Sequence, residues 1–140
     1  MERCKEVVLD SSVVVKWFSA EIKTDEVLRL RNSYTQGSLK FSISEILIVE
    51  VANALRYKPD YDTEKLRKAL TSLLGLHLNI IHLSETILSR TAEIAYEGKV
   101  TFYDAFPVTL AEHQKTVCIT ADEQTQYGKL KAKGYPIELL

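Results

Sequence analysis

Four carboxylates, Asp10, Glu50, Asp104 and Asp122, set the chemistry this sequence can do. Glu50 lies within SEILIVEVANALRY (44–57), where Ser44 suits an N-cap and apolar residues fall on nearly every side of the following helix. A helix that is apolar all round is expected to be buried. An ionised carboxylate in such a place is costly unless something positive compensates it, and the run offers no base before Arg56. Two readings stay open from this stretch alone: a bound cation, or a carboxylate that faces a water-filled edge or a distant base. Asp10 closes the run VVLD ahead of Ser11 and Ser12, so it reads as a ligand or simply as the cap of a short helix, VVVKWF. Asp104 falls in the first turn of a helix, where it would also complement the helix dipole. Asp122 follows directly on the run TVCIT.

Gathered in one place, these four would form a site of oxygen ligands with neither His nor Cys among them. Hard oxygen donors suit Mg²⁺ or Mn²⁺ better than Zn²⁺. Such a site suits phosphodiester hydrolysis, in which a metal activates water and neutralises charge on the phosphate. Without metal the crowded carboxylates repel, so at least one should have a raised pKa. A nucleotide-binding fold would need a Gly-rich turn after the first strand, and LDSSVVV has none.

The elements that must position these residues follow from periodicity and caps. Strands are expected over Glu6–Asp10, Leu39–Ile43, Leu78–Leu83 and Thr116–Thr120, with a short edge strand over Tyr135–Leu140. Between them, helices are expected over Thr24–Gln36, 44–57, Asp62–Leu74, from the cap Ser84 to Gly98, over Val100–His113 and over Thr125–Lys133. Gly37, Gly75 and Gly134 read as terminators, Pro59 closes the Glu50 helix, and Pro107 is tolerable only near the start of its own helix. Strands alternating with helices on short connections argue for an α/β sandwich with a mainly parallel sheet. In such a sheet, sites form beyond the carboxyl ends of strands where strand order reverses. Asp10 and Asp122 fall at strand ends, and Glu50 and Asp104 lie near helix starts that could line the same edge.

Composition bounds the rest. The 140 residues predict one domain, with 46% hydrophobic and 26% charged residues, ordinary globular values. A net charge of −1 gives no global basic field and counts against tight, unaided nucleic-acid binding, while leaving room for a local basic rim. No apolar stretch has membrane-spanning length, and MERCKEVVLD is too short and charged for a signal peptide, so the chain is expected in the cytoplasm. Cys4 and Cys118 lack metal-site spacing. They read as buried thiols, bridged only if their strands are neighbours and the compartment permits it.

The runs LDSSVVVKWF, EILIVEVANAL, TFYDAFPVTLAEH and ITADEQ, in this order and at this spacing, resemble the PIN-domain nucleases, and most closely the VapC-type toxins of prokaryotic toxin–antitoxin pairs. The resemblance covers essentially the whole chain, 1–140. It implies a three-layer sandwich around a parallel sheet of about five strands in the order 3-2-1-4-5. It implies that Asp10, Glu50, Asp104 and Asp122 match the family's acidic metal-binding set, with Ser11, Asn53 and Thr120 in support. It further implies a Mg²⁺- or Mn²⁺-dependent endoribonuclease acting on RNA, a homodimer, and a small antitoxin protein as partner. A PIN nuclease of RNA processing without an antitoxin, and an inactive metal-binding interaction module, are the rival readings. Pro107 departs from the aromatic or aliphatic residue usual in the family, which bears on where the helix carrying Asp104 begins.

Lys16, Arg56 and Lys99, each next to one of these motifs, are candidates for holding the RNA backbone, with solvated surface positions as the alternative. Tyr57, Tyr103 and Tyr127 could stack bases, although core or rim packing is the simpler role. Trp17 reads as core or subunit interface. His77, His82 and His113 lack ligand spacing and carry no expected role. Apolar faces on the second to fourth helices exceed what a small core hides and could bind an antitoxin or a second subunit.

Overall fold

The computed structural model describes residues 5–19 and 24–140. Strand β1 (Lys5–Leu9) runs into a single-turn helix α1 (Ser11–Val15), and α2 (Thr24–Thr35) leads to β2 (Leu39–Ser44). Helices α3 (Glu45–Arg56) and α4 (Thr63–Gly75) follow, then β3 (Asn79–Ile81) and the antiparallel-neighbour helices α5 (Glu85–Gly98) and α6 (Phe102–His113). The chain closes with β4 (Cys118–Thr120), a π-helical turn (Glu123–Tyr127) continuing into α7 (Gly128–Ala132), and β5 (Ile137–Leu139).

All five strands are parallel, in the order β3-β2-β1-β4-β5, as the family resemblance implies. Strand side chains alternate between faces, and here both faces are covered. Val7 and Leu9 of β1 pack with Phe41, Ile43, Leu47, Val51 and Leu55 on one side. Val8 packs with Ile94, Phe106, Leu110, Leu130 and Ile137 on the other. The result is helix, sheet, helix. The order reverses between β1 and β4, where Leu9 lies opposite Ile119, so Asp10 leaves β1 beside Thr120, the last residue of β4.

Several expectations need correction. The helix bearing Glu50 is not buried all round: Leu47, Val51 and Leu55 enter the core, but Val49 is 68% exposed. Its apolar outer side borders an open groove instead of a neighbouring element. Strand β3 is shorter than Leu78–Leu83 because Glu45, in the first turn of α3, accepts the Leu83 N–H at 3.2 Å and draws the chain off the sheet. Pro107 is well inside α6, not at its start, and is buried. Having no N–H, it cannot close the turn onto the Tyr103 carbonyl. The helix still begins where Thr101 caps it, accepting the Asp104 N–H at 3.1 Å, so Asp104 stays in the first turn. Gly98 does not terminate α5 by its own conformation. Lys99 takes the left-handed turn (φ 55°), while a Cβ on Gly98 would stand 2.6 Å from Leu130 Cδ2. Its hydrogen side chain is what lets α5 meet α7.

Trp17 is core, 7% exposed and 5.8 Å from the Phe41 ring. Cys118 is a buried free thiol, and the suggested pairing with Cys4 lies outside the described residues. Among the described residues no helix is long and apolar enough to cross a membrane.

Candidate active site

Asp10 is both cap and buried acid. It N-caps α1, with Oδ2 accepting the Ser12 N–H at 3.1 Å and the Ser12 hydroxyl at 2.5 Å, and it is only 6% exposed. Burial pushes its carboxyl above the ordinary range, and hydrogen bonds from Ser12, Gln126 and Thr120 oppose that rise. Ser12 also accepts the Ala121 N–H at 2.9 Å, stapling the end of β1 to the end of β4. Ser12 is a support the sequence reading does not name, while Ser11, the serine it does name, hydrogen-bonds Glu50 and lines the groove beside it.

Thr120, a candidate supporting residue, lies beside Asp10. Its hydroxyl donates to Gln126 Oε1 at 2.6 Å and accepts the Asp122 N–H at 3.0 Å, leaving Asp10 Oδ2 as a longer 3.4 Å contact. Gln126 was not foreseen. It is fully buried, and Nε2 donates to the Asp104 carbonyl at 2.9 Å while approaching Asp10 Oδ1 at 3.5 Å. A local widening of the helix turns it inward: Tyr127 N–H bonds to Asp122 O, and Gly128 N–H to Glu123 O, each five residues back. A turn of this kind inserts a residue into the helical repeat, often at functional sites. Gly128 suits it, since a Cβ there would press on Glu123 O at 3.3 Å. The polar run DEQTQ straight after a switch-point strand was the only signal in the sequence.

Asp122 caps this segment, accepting the Thr125 N–H at 3.1 Å on Oδ1 and the Thr125 hydroxyl on Oδ2. Asp104 has its carboxyl raised by burial first and then by the charges of Asp10 and Asp122, against the Thr101 hydrogen bond and the Lys129 cation. Glu50 is pushed up to about 7, by burial first and then by Asp10 and Asp104. Glu50 is acted on by Asp10 and Asp104, and Asp104 by Asp10 and Asp122, so the four acids from four separate stretches share one electrostatic neighbourhood.

Among the described residues, no three His, Cys, Asp or Glu side chains converge tightly enough to enclose an ion unaided. The donor set nevertheless fits a hydrated divalent cation such as Mg²⁺, which keeps several waters and takes one or two carboxylates directly. Mutually raised acids are the pattern that a bound cation relieves.

The basic candidates divide. Lys99 contributes its carbonyl, which accepts from Lys129 Nζ at 3.3 Å, and Lys129 is the cation acting on Asp104. Arg56 stacks 5.2 Å above the Tyr57 ring and lines a separate cleft with Tyr61 and Arg67. Lys16 follows α1 and does not line the groove beside Glu50. Asn53 does, together with Tyr103, whereas Tyr127 packs against the second core. A separate cavity of about 820 Å³ beside Lys40, His77 and Asn79 shares no residue with the acids.

The sequence profile of the PIN domain matches residues 7–129. Comparison with curated proteins gives no match. Among solved structures, the fold is similar to VapC20 of Mycobacterium tuberculosis, a sarcin–ricin-loop-cleaving toxin, at 13% identity and a TM-score of 0.72, covering 92% of this chain and 95% of that one. It is similar to FitAcB from Neisseria gonorrhoeae at 16% identity and a TM-score of 0.70, covering 94% and 95%. It is also similar to VapBC2 from Rickettsia felis, bound to a DNA fragment from their promoter, at 15% identity and 0.69, covering 96% and 98%. At these identities the shared property is the fold, and with the profile match over most of the sequence, the chain belongs to the PIN-domain family.

Proposed function

We propose that this chain is a divalent-metal-dependent endoribonuclease that hydrolyses RNA phosphodiester bonds and is the toxin of a toxin–antitoxin pair. The observation that carries the reading is the electrostatic coupling of Asp10, Glu50, Asp104 and Asp122 at the point where the sheet reverses order. Membership of the PIN-domain family supports the nuclease part. Structural similarity to VapC20, named as a toxin, and to a toxin–antitoxin complex from Klebsiella pneumoniae supports the partner.

In this reading Asp10, Glu50, Asp104 and Asp122 hold Mg²⁺ or Mn²⁺. The ion supplies charge neutralisation at the phosphate and acidifies water. Ser12, Thr120 and Gln126 keep Asp10 in one orientation, and Ser11 does the same for Glu50. Lys129, anchored on the Lys99 carbonyl, tempers the negative field so that a phosphate can approach. The exposed Leu88, Tyr96 and Phe102 support an interface with a second copy or a small antitoxin.

The test is purification of the chain co-expressed with its genomic neighbours, followed by cleavage of total RNA with Mg²⁺, Mn²⁺ or chelator. Cleavage that needs the ion and disappears in Asp10→Asn, with growth arrest relieved by a small co-expressed neighbour, is the expected result. Ion-independent cleavage that survives Asp10→Asn would sink the proposal.

A further inference from the structure

The groove alongside Glu50 has a composition that the hydrolytic reading does not use. It holds about 710 Å³ and is lined by Ile46, Val49 and Tyr103 with Ser11, Glu50 and Asn53. Val49 is 68% exposed and Tyr103 59%. Apolar side chains scattered singly on a surface need no explanation. These two border one groove, and that groove shares Glu50 and Ser11 with the acidic cluster. Whatever lies in it lies against the reacting centre.

Its size is within the range of small-ligand sites, roughly 300–1,000 Å³, and leaves room for one base with its ribose. An aromatic ring offers a stacking surface, aliphatic side chains offer a dry wall, and the Asn53 amide can both donate and accept. Proteins hold an unstacked RNA base with this combination. The groove touches the acidic set through Glu50 and through Tyr103, the residue before Asp104, and Lys129 is a cation acting on Asp104. Under the ribonuclease reading a divalent ion at the acids takes the phosphate, so the part of the strand that reaches the adjoining recess is the neighbouring ribose and base; a peptide in the recess is the outcome that the test below tells apart.

We propose that this groove is the subsite for the nucleobase adjoining the phosphate held at the carboxylates, with Tyr103 as its positioning residue and Asn53 as the group that selects among bases. The proposal rests on the ribonuclease reading, and its test separates the two.

The experiment uses the full chain with Mg²⁺ and a short single-stranded oligoribonucleotide carrying one 2-aminopurine, whose fluorescence falls on stacking. It compares wild type with Tyr103→Ala, Tyr103→Phe and Asn53→Ala, following both quenching and cleavage. Tyr103→Ala is expected to abolish the quench and weaken binding about five- to a hundredfold, acting through KM with kcat little changed. Tyr103→Phe should bind and quench like wild type, and Asn53→Ala should flatten the preference among bases while keeping the quench. Unaltered quenching and KM in Tyr103→Ala, with cleavage intact, overturns the subsite and leaves the nuclease standing. Tyr103-dependent quenching without any cleavage keeps the subsite and removes the nuclease. A change in oligomeric state in Tyr103→Ala with unaltered RNA binding identifies the groove as a protein contact and also overturns the proposal.

Discussion

Thr120 and Gln126 form a hydrogen bond of 2.6 Å wholly out of solvent, and through it the end of β4 controls an amide that reaches both Asp10 and the Asp104 backbone. The pair is a support layer beneath the acids. Residues of this kind orient ligands and typically account for ~10–100-fold in metal affinity. Gln126→Ala is expected to lower divalent-ion affinity by about that factor and to cost about 1–3 kcal/mol of stability, because the Thr120 hydroxyl loses its acceptor in a dry place. Calorimetric titration with Mn²⁺ and urea unfolding measure the two effects. Wild-type affinity in Gln126→Ala would remove the residue from the site.

Glu50 makes the metal-free protein sensitive to pH. Burial and the neighbouring acids push its folded carboxyl up to about 7 from an ordinary 4.5. Between these values the native state binds a proton that the unfolded state has released, so stability falls as pH rises through this window and levels off above it. Asp10 and Asp104 are displaced in the same direction and add to the trend. In chelator, Glu50→Gln should therefore be more stable than wild type at pH 8 by about 1–3 kcal/mol, a range set below the full shift because the group is partly exposed. At pH 5 the difference should nearly vanish. Urea unfolding at the two values measures this, and an equal difference at both would contradict it.

Ser12 and Ser11 are neighbours with unequal jobs. Ser12 donates to a buried carboxylate and accepts a backbone N–H from the adjoining strand end, whereas Ser11 bonds the more open Glu50. Ser12→Ala should cost about 2–3 kcal/mol and Ser11→Ala less than about 1 kcal/mol. Thermal denaturation of the two variants side by side decides it, and a larger loss for Ser11→Ala would reverse the assignment.

Gly98→Ala is expected to destabilise, although alanine in an exposed helix interior is ordinarily favoured over glycine by ~1 kcal/mol. The added methyl would lie 2.6 Å from Leu130 Cδ2, and Leu130 is fully buried. Overpacking of this kind costs about 1–3 kcal/mol. Leu130→Ala should blunt the effect in the double variant, a coupling that a double-mutant cycle in urea reads directly.

The architecture was largely legible in the sequence, and so was the set of four acids that the structure gathers into one electrostatic neighbourhood. Runs such as VVL and TVCIT, separated by capped helices, leave few arrangements other than a covered parallel sheet, because each buried face needs a layer against it. Where the elements end was less legible. β3 stops early because Glu45, far along the chain, takes the Leu83 N–H. Val49 stays exposed because a groove borders that side of its helix. A helical pattern records which residues are apolar, and cannot record whether another element is present to cover them.

What the sequence by itself determined was the set of carboxylates and the order of strands and helices that carry them, since composition and caps are local properties. Only the tertiary structure decided how those acids are supported: Ser12 tying Asp10 to Ala121 at the end of β4, Gln126 turned inward by a widened helical turn, and Lys129 brought to Asp104. Each of these joins residues more than twenty positions apart, and the identity of a single residue does not encode which distant neighbour it meets.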